Sequence, residues 1–275
     1  MADRKQNNRR GSRGKSVVAL LLIVSLSAAA YLGWKGLAEL AERRAGDDYY
    51  ARLAQQVDTP AASASAQPAE VEPDEPLAEV NDVLRAQDGS SIDFDALREN
   101  CPDVVGWVRI EGTAIDYPIV RGDDNSFYLS HLPDQTANAA GSIMMDCACD
   151  PEFGSTVSIL HGHHMRSGAM FGDLDEYASE AYFREHPMMR LFTPDGDFDV
   201  EIFASCTVDG SAFGYPTDFA GEREFDAFVD DLQFRTVYDT DADAKYGDRV
   251  LLLSTCAYSF DTARFVVAGR IVEDE

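Results

Sequence analysis

Positive charge is scarce beyond residue 37 of this 275-residue chain, where 16 basic groups face 48 acidic ones for a net of −32. Such a surface repels nucleic acid and anionic lipid headgroups, so nucleic acid is excluded as a partner. Aromatic residues are missing between Tyr50 and Phe94, and Pro60, Pro68, Pro73 and Pro76 stand there among Ala, Ser and Glu. Nothing in that stretch can anchor a core, which makes it a stiff acidic spacer. Internal repeats, Walker-type phosphate loops and dinucleotide fingerprints are also absent, which removes the solenoid and nucleotide-loop classes.

What is present begins at the N-terminus. Arg4, Lys5, Arg9, Arg10, Arg13 and Lys15 oppose only Asp3, and an uncharged apolar run follows over residues 16–34. Nineteen residues rising 1.5 Å each come close to a hydrocarbon core of about 30 Å, and no polar face interrupts them. The basic flank stays cytoplasmic by the positive-inside rule, which puts the rest of the chain outside the cell. A cleaved signal peptide is the alternative, because Ala28-Ala29-Ala30 suits a cleavage site. The apolar run continues through Tyr31-Leu32-Gly33-Trp34, which favours a retained anchor. The expected organisation is a basic cytoplasmic segment (1–15), a transmembrane anchor (16–37), a juxtamembrane helix with the acidic Pro/Ala-rich spacer (38–90), and an extracellular domain (91–275).

The extracellular domain is expected to be mainly β. Strand-like runs occur at 104–110, 114–120, 141–145, 156–160, 188–192, 198–207, 250–255 and 265–272, separated by Gly, Asp and Pro. Eight such runs predict a mainly antiparallel sheet or barrel. Peripheral helical patterns fall at 94–97, 170–174, 179–186 and 222–234. In the last, Phe225, Phe228, Val229 and Leu232 share one face at spacings of three and four, a packing stripe.

Cys101, Cys147, Cys149, Cys206 and Cys256 are an odd set for an exported chain, so at least one thiol is left over unless two molecules are cross-linked. Cys206 lies in an apolar strand pattern and reads as a small buried hydrophobe. Cys147 and Cys149 could pair with Cys101 or bind metal. Cys256 differs, because it ends the apolar run Leu251-Leu252-Leu253-Ser254-Thr255 and only residues 257–263 separate it from Arg264, which opens the next run. An antiparallel pair of those strands brings Cys256 and Arg264 to one edge, with Tyr258, Ser259, Phe260 and Asp261 as a rim. Thr156-Val157-Ser158-Ile159-Leu160 ends likewise in His161-Gly162-His163-His164. A thiol becomes a nucleophile when an imidazole or guanidinium lowers its pKa, so these residue types at strand mouths suit cysteine catalysis. Zinc on His161, His163 and His164 is the other reading, and it needs a further ligand that the flanking residues do not supply.

Taken together, these segments resemble a class B sortase, a membrane-anchored cysteine transpeptidase of Gram-positive bacteria. The resemblance covers about residues 92–273 and rests on segments in order. They are Asn100-Cys101-Pro102-Asp103-Val104-Val105-Gly106-Trp107, Ile115-Asp116-Tyr117-Pro118-Ile119-Val120, Asp124-Asn125-Ser126-Phe127-Tyr128-Leu129, Gly162-His163-His164-Met165, Met170-Phe171-Gly172-Asp173-Leu174, and Leu253-Ser254-Thr255-Cys256 with Arg264-Phe265-Val266-Val267. The resemblance implies a closed eight-stranded sortase-type barrel with peripheral helices. It implies Cys256 as nucleophile, His163 as general acid and base, Arg264 as the residue orienting substrate and stabilising the oxyanion, and no cofactor. Its implied partners are secreted proteins with a C-terminal sorting signal and an amine of cell-wall precursor or of a pilin subunit. Leu252, where the pattern often has Thr, and the missing acidic residue after Cys256 bear on substrate preference. An exported cysteine protease and a non-catalytic zinc-binding surface domain are the competing functions.

Overall fold

The computed structural model describes residues 6–58, 91–256 and 262–272, and within them the side chains of 25–57, 91–255 and 262–272. Residues 1–5 of the basic segment 1–15, residues 59–90 of the expected helix-and-spacer stretch, residues 257–261, which include the expected rim, and residues 273–275 lie outside the described residues. Helix α1 runs from Gln6 to Asp58. The chain divides into two compact units, Met1–Ala45 and Gly46–Glu275. The first is the N-terminal part of α1. Among the described residues no helix is long and apolar enough to cross a membrane, and the side chains of residues 16–24 of the expected anchor are not among those described.

Eight strands build the second unit: β1 (Val104–Arg109), β2 (Asp116–Val120), β3 (Ile143–Met145), β4 (Val157–Gly162), β5 (Met188–Thr193), β6 (Gly196–Asp209), β7 (Val250–Cys256) and β8 (Ala263–Val272). They close into a barrel in the order β1-β2-β3-β4-β7-β8-β6-β5. Each of the eight apolar runs in the sequence is one of these strands. Pairing is antiparallel except for β2 with β3 and β4 with β7, which run parallel. The middle of β7, Leu251 to Leu253, and of β8, Val266 to Ala268, is buried on both faces. That explains why these strands read as continuous apolar runs without alternation.

Two cores result. Ile119, Ile143, Ile159, Leu191, Phe203, Leu252 and Val267 belong to the large one. The smaller one joins Trp107, Val120, Tyr128 and Met144 to Phe94 and Leu97 of helix α2 (Phe94–Arg98) and to Leu53 of α1. Asp93 caps α2 by accepting from the Ala96 amide at 3.0 Å. Residues of α1 after Gly46 are thus part of the folded unit, with Tyr50 and Leu53 both buried.

Helix α3 (Glu180–Glu185) and helix α4 (Glu222–Arg235) fall where the helical patterns at 179–186 and 222–234 place them. Phe225, Val229 and Leu232 are buried as the stripe requires, with Phe228 packed beside them. The expected helix at 170–174 requires correction. Residues 171–173 form a turn, and the helical segment is a 3-10 helix that starts only at that pattern's last residue, Leu174–Ala178. Met170 stands at φ +58°, outside the helical region, and the Phe171 amide donates back to the His163 carbonyl at 3.0 Å, so the chain turns here and does not begin a helix.

Candidate active site

Strands β7 and β8 pair so that Cys256 and Arg264 are direct register partners. The short connection between two apolar strands anticipates this arrangement, since a hairpin leaves the end of one strand beside the start of the next. Strand β4 joins the other edge of β7 in parallel, with His161 opposite Ser254 and Gly162 opposite Thr255. His163 follows Gly162 directly, so it stands level with Cys256. Positions 163, 256 and 264 therefore meet at one rim of the barrel, contributed by three adjacent strands. The Cys256 side chain and residues 257–261 lie outside the described residues.

His163 is held at its ring and at its backbone. Its Nε2 lies 2.6 Å from the Leu129 carbonyl oxygen. A carbonyl only accepts, so Nε2 carries the proton and Nδ1 is the ring nitrogen left to exchange one. At the backbone, Phe171 N–H donates to the His163 carbonyl at 3.0 Å, and Thr255 Oγ1 donates to the Gly162 carbonyl at 2.8 Å. The Thr255 bond ties the end of β4 to β7. Gly162 is required here by close approach, because a Cβ would lie 2.6 Å from both Ile143 Cδ1 and Phe171 Cδ2. Met170 adopts φ +58°, a left-handed conformation that costs a non-glycine residue roughly 1 kcal/mol or more. Its amide is met by the Tyr117 hydroxyl at 2.9 Å.

Arg264 is half-buried and donates through Nη1 to the Ala263 carbonyl at 3.0 Å. Its register partner on β6 is Val208. Just beyond β6, Gly210 leaves room for its stem, since a Cβ at that position would lie 2.7 Å from Arg264 Cγ.

The neighbouring histidines have separate partners. His161 Nε2 donates to Asp146 Oδ2 at 3.0 Å, and this bond, with further ones from the Ala148 amide and Asn125, holds the Asp146 carboxyl down at about 2 against its partial burial. His164 Nε2 donates to Asp175 Oδ2 at 3.1 Å. The zinc reading needs His161, His163 and His164 to converge, whereas they diverge toward Asp146, Leu129 and Asp175. Among the described residues no three His, Cys, Asp or Glu side chains are grouped to hold a metal.

Cys101, Cys147, Cys149 and Cys206 are free thiols. Burial pushes Cys149 up to about 11 and Cys206 up to about 12, which keeps both protonated and unreactive at neutral pH. Burial also raises Cys101, whose Sγ lies 3.3 Å from the Tyr49 hydroxyl.

The sequence reading missed the supports: the Leu129 carbonyl, Tyr117, Thr255 and Gly210. Leu129 and Tyr117 fall in segments that resemble the sortases, but a carbonyl's role leaves no trace in residue type.

No family model matches the chain. Sortase B of Listeria monocytogenes is 32% identical over 172 residues, which is 62% of this chain and 70% of that protein. Sortase B of Staphylococcus aureus is 29% identical over 182 residues, 66% of this chain and 75% of that protein. Among solved structures, a Bacillus anthracis protein described as similar to sortase B shares 34% identity with a TM-score of 0.61, covering 66% of this chain and 83% of its own. A closed barrel of this topology with these relatives defines a cysteine transpeptidase of the sortase type. The chain belongs to the class B sortase family.

Proposed function

We propose that the chain cleaves a C-terminal sorting signal after a threonine and transfers the released carboxyl group to an amine, with Cys256, His163 and Arg264 as its catalytic residues. The observation that carries this reading is the β4-β7-β8 register, which sets the three positions at one rim. The Cys256 thiolate attacks the threonine carbonyl carbon, and the Arg264 guanidinium stabilises the negative charge that develops on the oxygen. His163, protonated at Nδ1, gives that proton to the departing amine as the peptide bond breaks. The product is a thioester on Cys256. An incoming amine then loses a proton to His163 and attacks the thioester carbonyl; the new amide bond forms, the carbon–sulfur bond breaks, and the Cys256 thiolate and protonated His163 are restored. The Leu129 carbonyl has the part of an orienting acceptor, holding Nε2–H so that Nδ1 faces the reaction.

The sorting motif is read as of the Asn-Pro-x-Thr type, and the amine as one of cell-wall precursor or of a pilin subunit. The basic start and the apolar run at 16–34 support a retained single-pass anchor with the N-terminus cytoplasmic and the enzyme on the cell surface. In that layout residues 1–15 are cytoplasmic, 16–37 span the membrane, 38–90 link, and 91–275 carry the catalysis, with the end of α1 packed on the catalytic unit.

The test incubates the full chain with peptides of that type, with and without an added glycine-based amine, and identifies products by mass. Transfer product that disappears in Cys256→Ala is expected. Hydrolysis unaffected by the amine would make the chain a protease, and cleavage that survives Cys256→Ala would overturn the assignment.

A further inference from the structure

Two supports hold His163, the Leu129 carbonyl and the Phe171 amide, and one side chain outside the barrel touches a neighbour of each. Tyr50, in the part of α1 that belongs to the folded unit, is only 7% exposed. Its hydroxyl donates to the Gly141 carbonyl at 2.5 Å. Gly141 has φ +61° and lies so close to the Phe127–Leu129 turn that a Cβ would come within 2.7 Å of the Leu129 and Tyr128 carbonyl oxygens. The adjoining Ser142 amide donates to the Tyr128 carbonyl at 2.9 Å. Tyr50 thus braces the turn whose last carbonyl, that of Leu129, accepts the hydrogen bond from the His163 ring.

The second contact is through the ring. Tyr50 meets Tyr117 edge to face, with ring centroids 5.1 Å apart. Tyr117 receives the Met170 amide, and the next amide, that of Phe171, holds the His163 carbonyl. One residue of α1 therefore reaches the acceptor of the ring and the clamp on the backbone by two independent routes. Simple packing explains the ring contact. It does not choose the acceptor of the buried hydroxyl, which meets Gly141 beside the Leu129 carbonyl, with Ser142 Oγ 3.4 Å away.

We propose that Tyr50 is a positioning residue for His163, so that the end of the N-terminal helix is a working part of the active site; this rests on His163 being the acid and base. The test compares three variants of the full chain in the peptide-plus-amine assay. Tyr50→Phe keeps the ring and removes the hydroxyl. Tyr177→Phe is the control for stability, because Tyr177 is also buried and its hydroxyl donates at 2.8 Å to the His186 carbonyl, which is not among the groups that hold His163. His163→Ala tests the underlying reading.

The expected result is a drop in kcat of about fivefold in Tyr50→Phe with KM within about twofold, while Tyr177→Phe loses comparable Tm and keeps its kcat. Unchanged kcat in Tyr50→Phe, or equal losses in both tyrosine variants, overturns the proposal while leaving the catalytic assignment intact if His163→Ala is inactive. Full turnover in His163→Ala overturns both. If Tyr50→Phe does not fold, Tyr117→Phe takes its place: the same fall in kcat supports the positioning chain, and wild-type kcat sinks it.

Discussion

The rim formed by β4, β7 and β8 and the flank where α4 covers β6 are built from different materials. At the rim, backbone carbonyls, amides and glycines are matched atom to atom: Leu129 to the His163 ring, Thr255 to Gly162, Gly210 to the Arg264 stem. On the flank, Phe225 packs against Phe219 at 5.4 Å and Phe219 against Phe228 at 5.2 Å, a cluster whose worth is its apolar bulk. The contrast teaches that small changes at the rim should damage catalysis with little loss of folding, whereas large changes on the flank should do the reverse.

The sharpest attempt to break that contrast is Gly162→Ala. The added methyl meets Ile143 and the Phe171 ring at 2.6 Å, and Phe171 carries the amide that holds His163. Turnover is expected to fall about a hundredfold, the size of loss that misplacement by an ångström produces. Steady-state kinetics beside a circular-dichroism melt would check it, and activity close to wild type would show that the rim tolerates what its geometry forbids.

Gly210→Ala should cost less. The methyl displaces the Arg264 stem, on which it would sit at 2.7 Å, but it leaves the nucleophile and His163 in place. We expect kcat to fall about tenfold, as when one charge-stabilising group is moved and not deleted. The same assay tests this, and a change confined to KM would instead give Arg264 a purely binding role.

Phe225→Ala should have the smallest effect on catalysis. Phe225 is fully buried, so its loss should destabilise the fold by about 3–5 kcal/mol through lost burial and the cavity left behind. Turnover per folded molecule should stay within about twofold. Denaturant unfolding combined with active-site titration separates the two quantities, and a kcat that falls in step with stability would erase the distinction between rim and flank.

Much of the barrel was legible because its signals are local. The runs 250–255 and 265–272 needed only their apolar composition and a short connection to predict the hairpin that pairs Cys256 with Arg264. The helix with Phe225, Val229 and Leu232 announced itself by spacing. Misreading followed where local and tertiary demands diverge. Met170-Phe171-Gly172-Asp173-Leu174 has helical composition, yet its Phe171 amide is consumed by His163 and its Met170 is left-handed, so it forms a turn. The segment around Tyr50 looked like a charged membrane-proximal helix, and nothing in its sequence says which carbonyl its hydroxyl will meet.

By itself the sequence determined which chemistry is possible: one cysteine and one arginine at facing strand ends, histidines at another strand mouth, and eight apolar runs that must bury one another. Only the tertiary structure decided which position of the histidine run stands level with Cys256 and what holds its ring. Parallel pairing of β4 with β7 spans a crossover of more than eighty residues, and its register depends on barrel closure, which no local pattern encodes. Carbonyl acceptors such as Leu129 belong to every residue type alike, so their selection is a property of the fold.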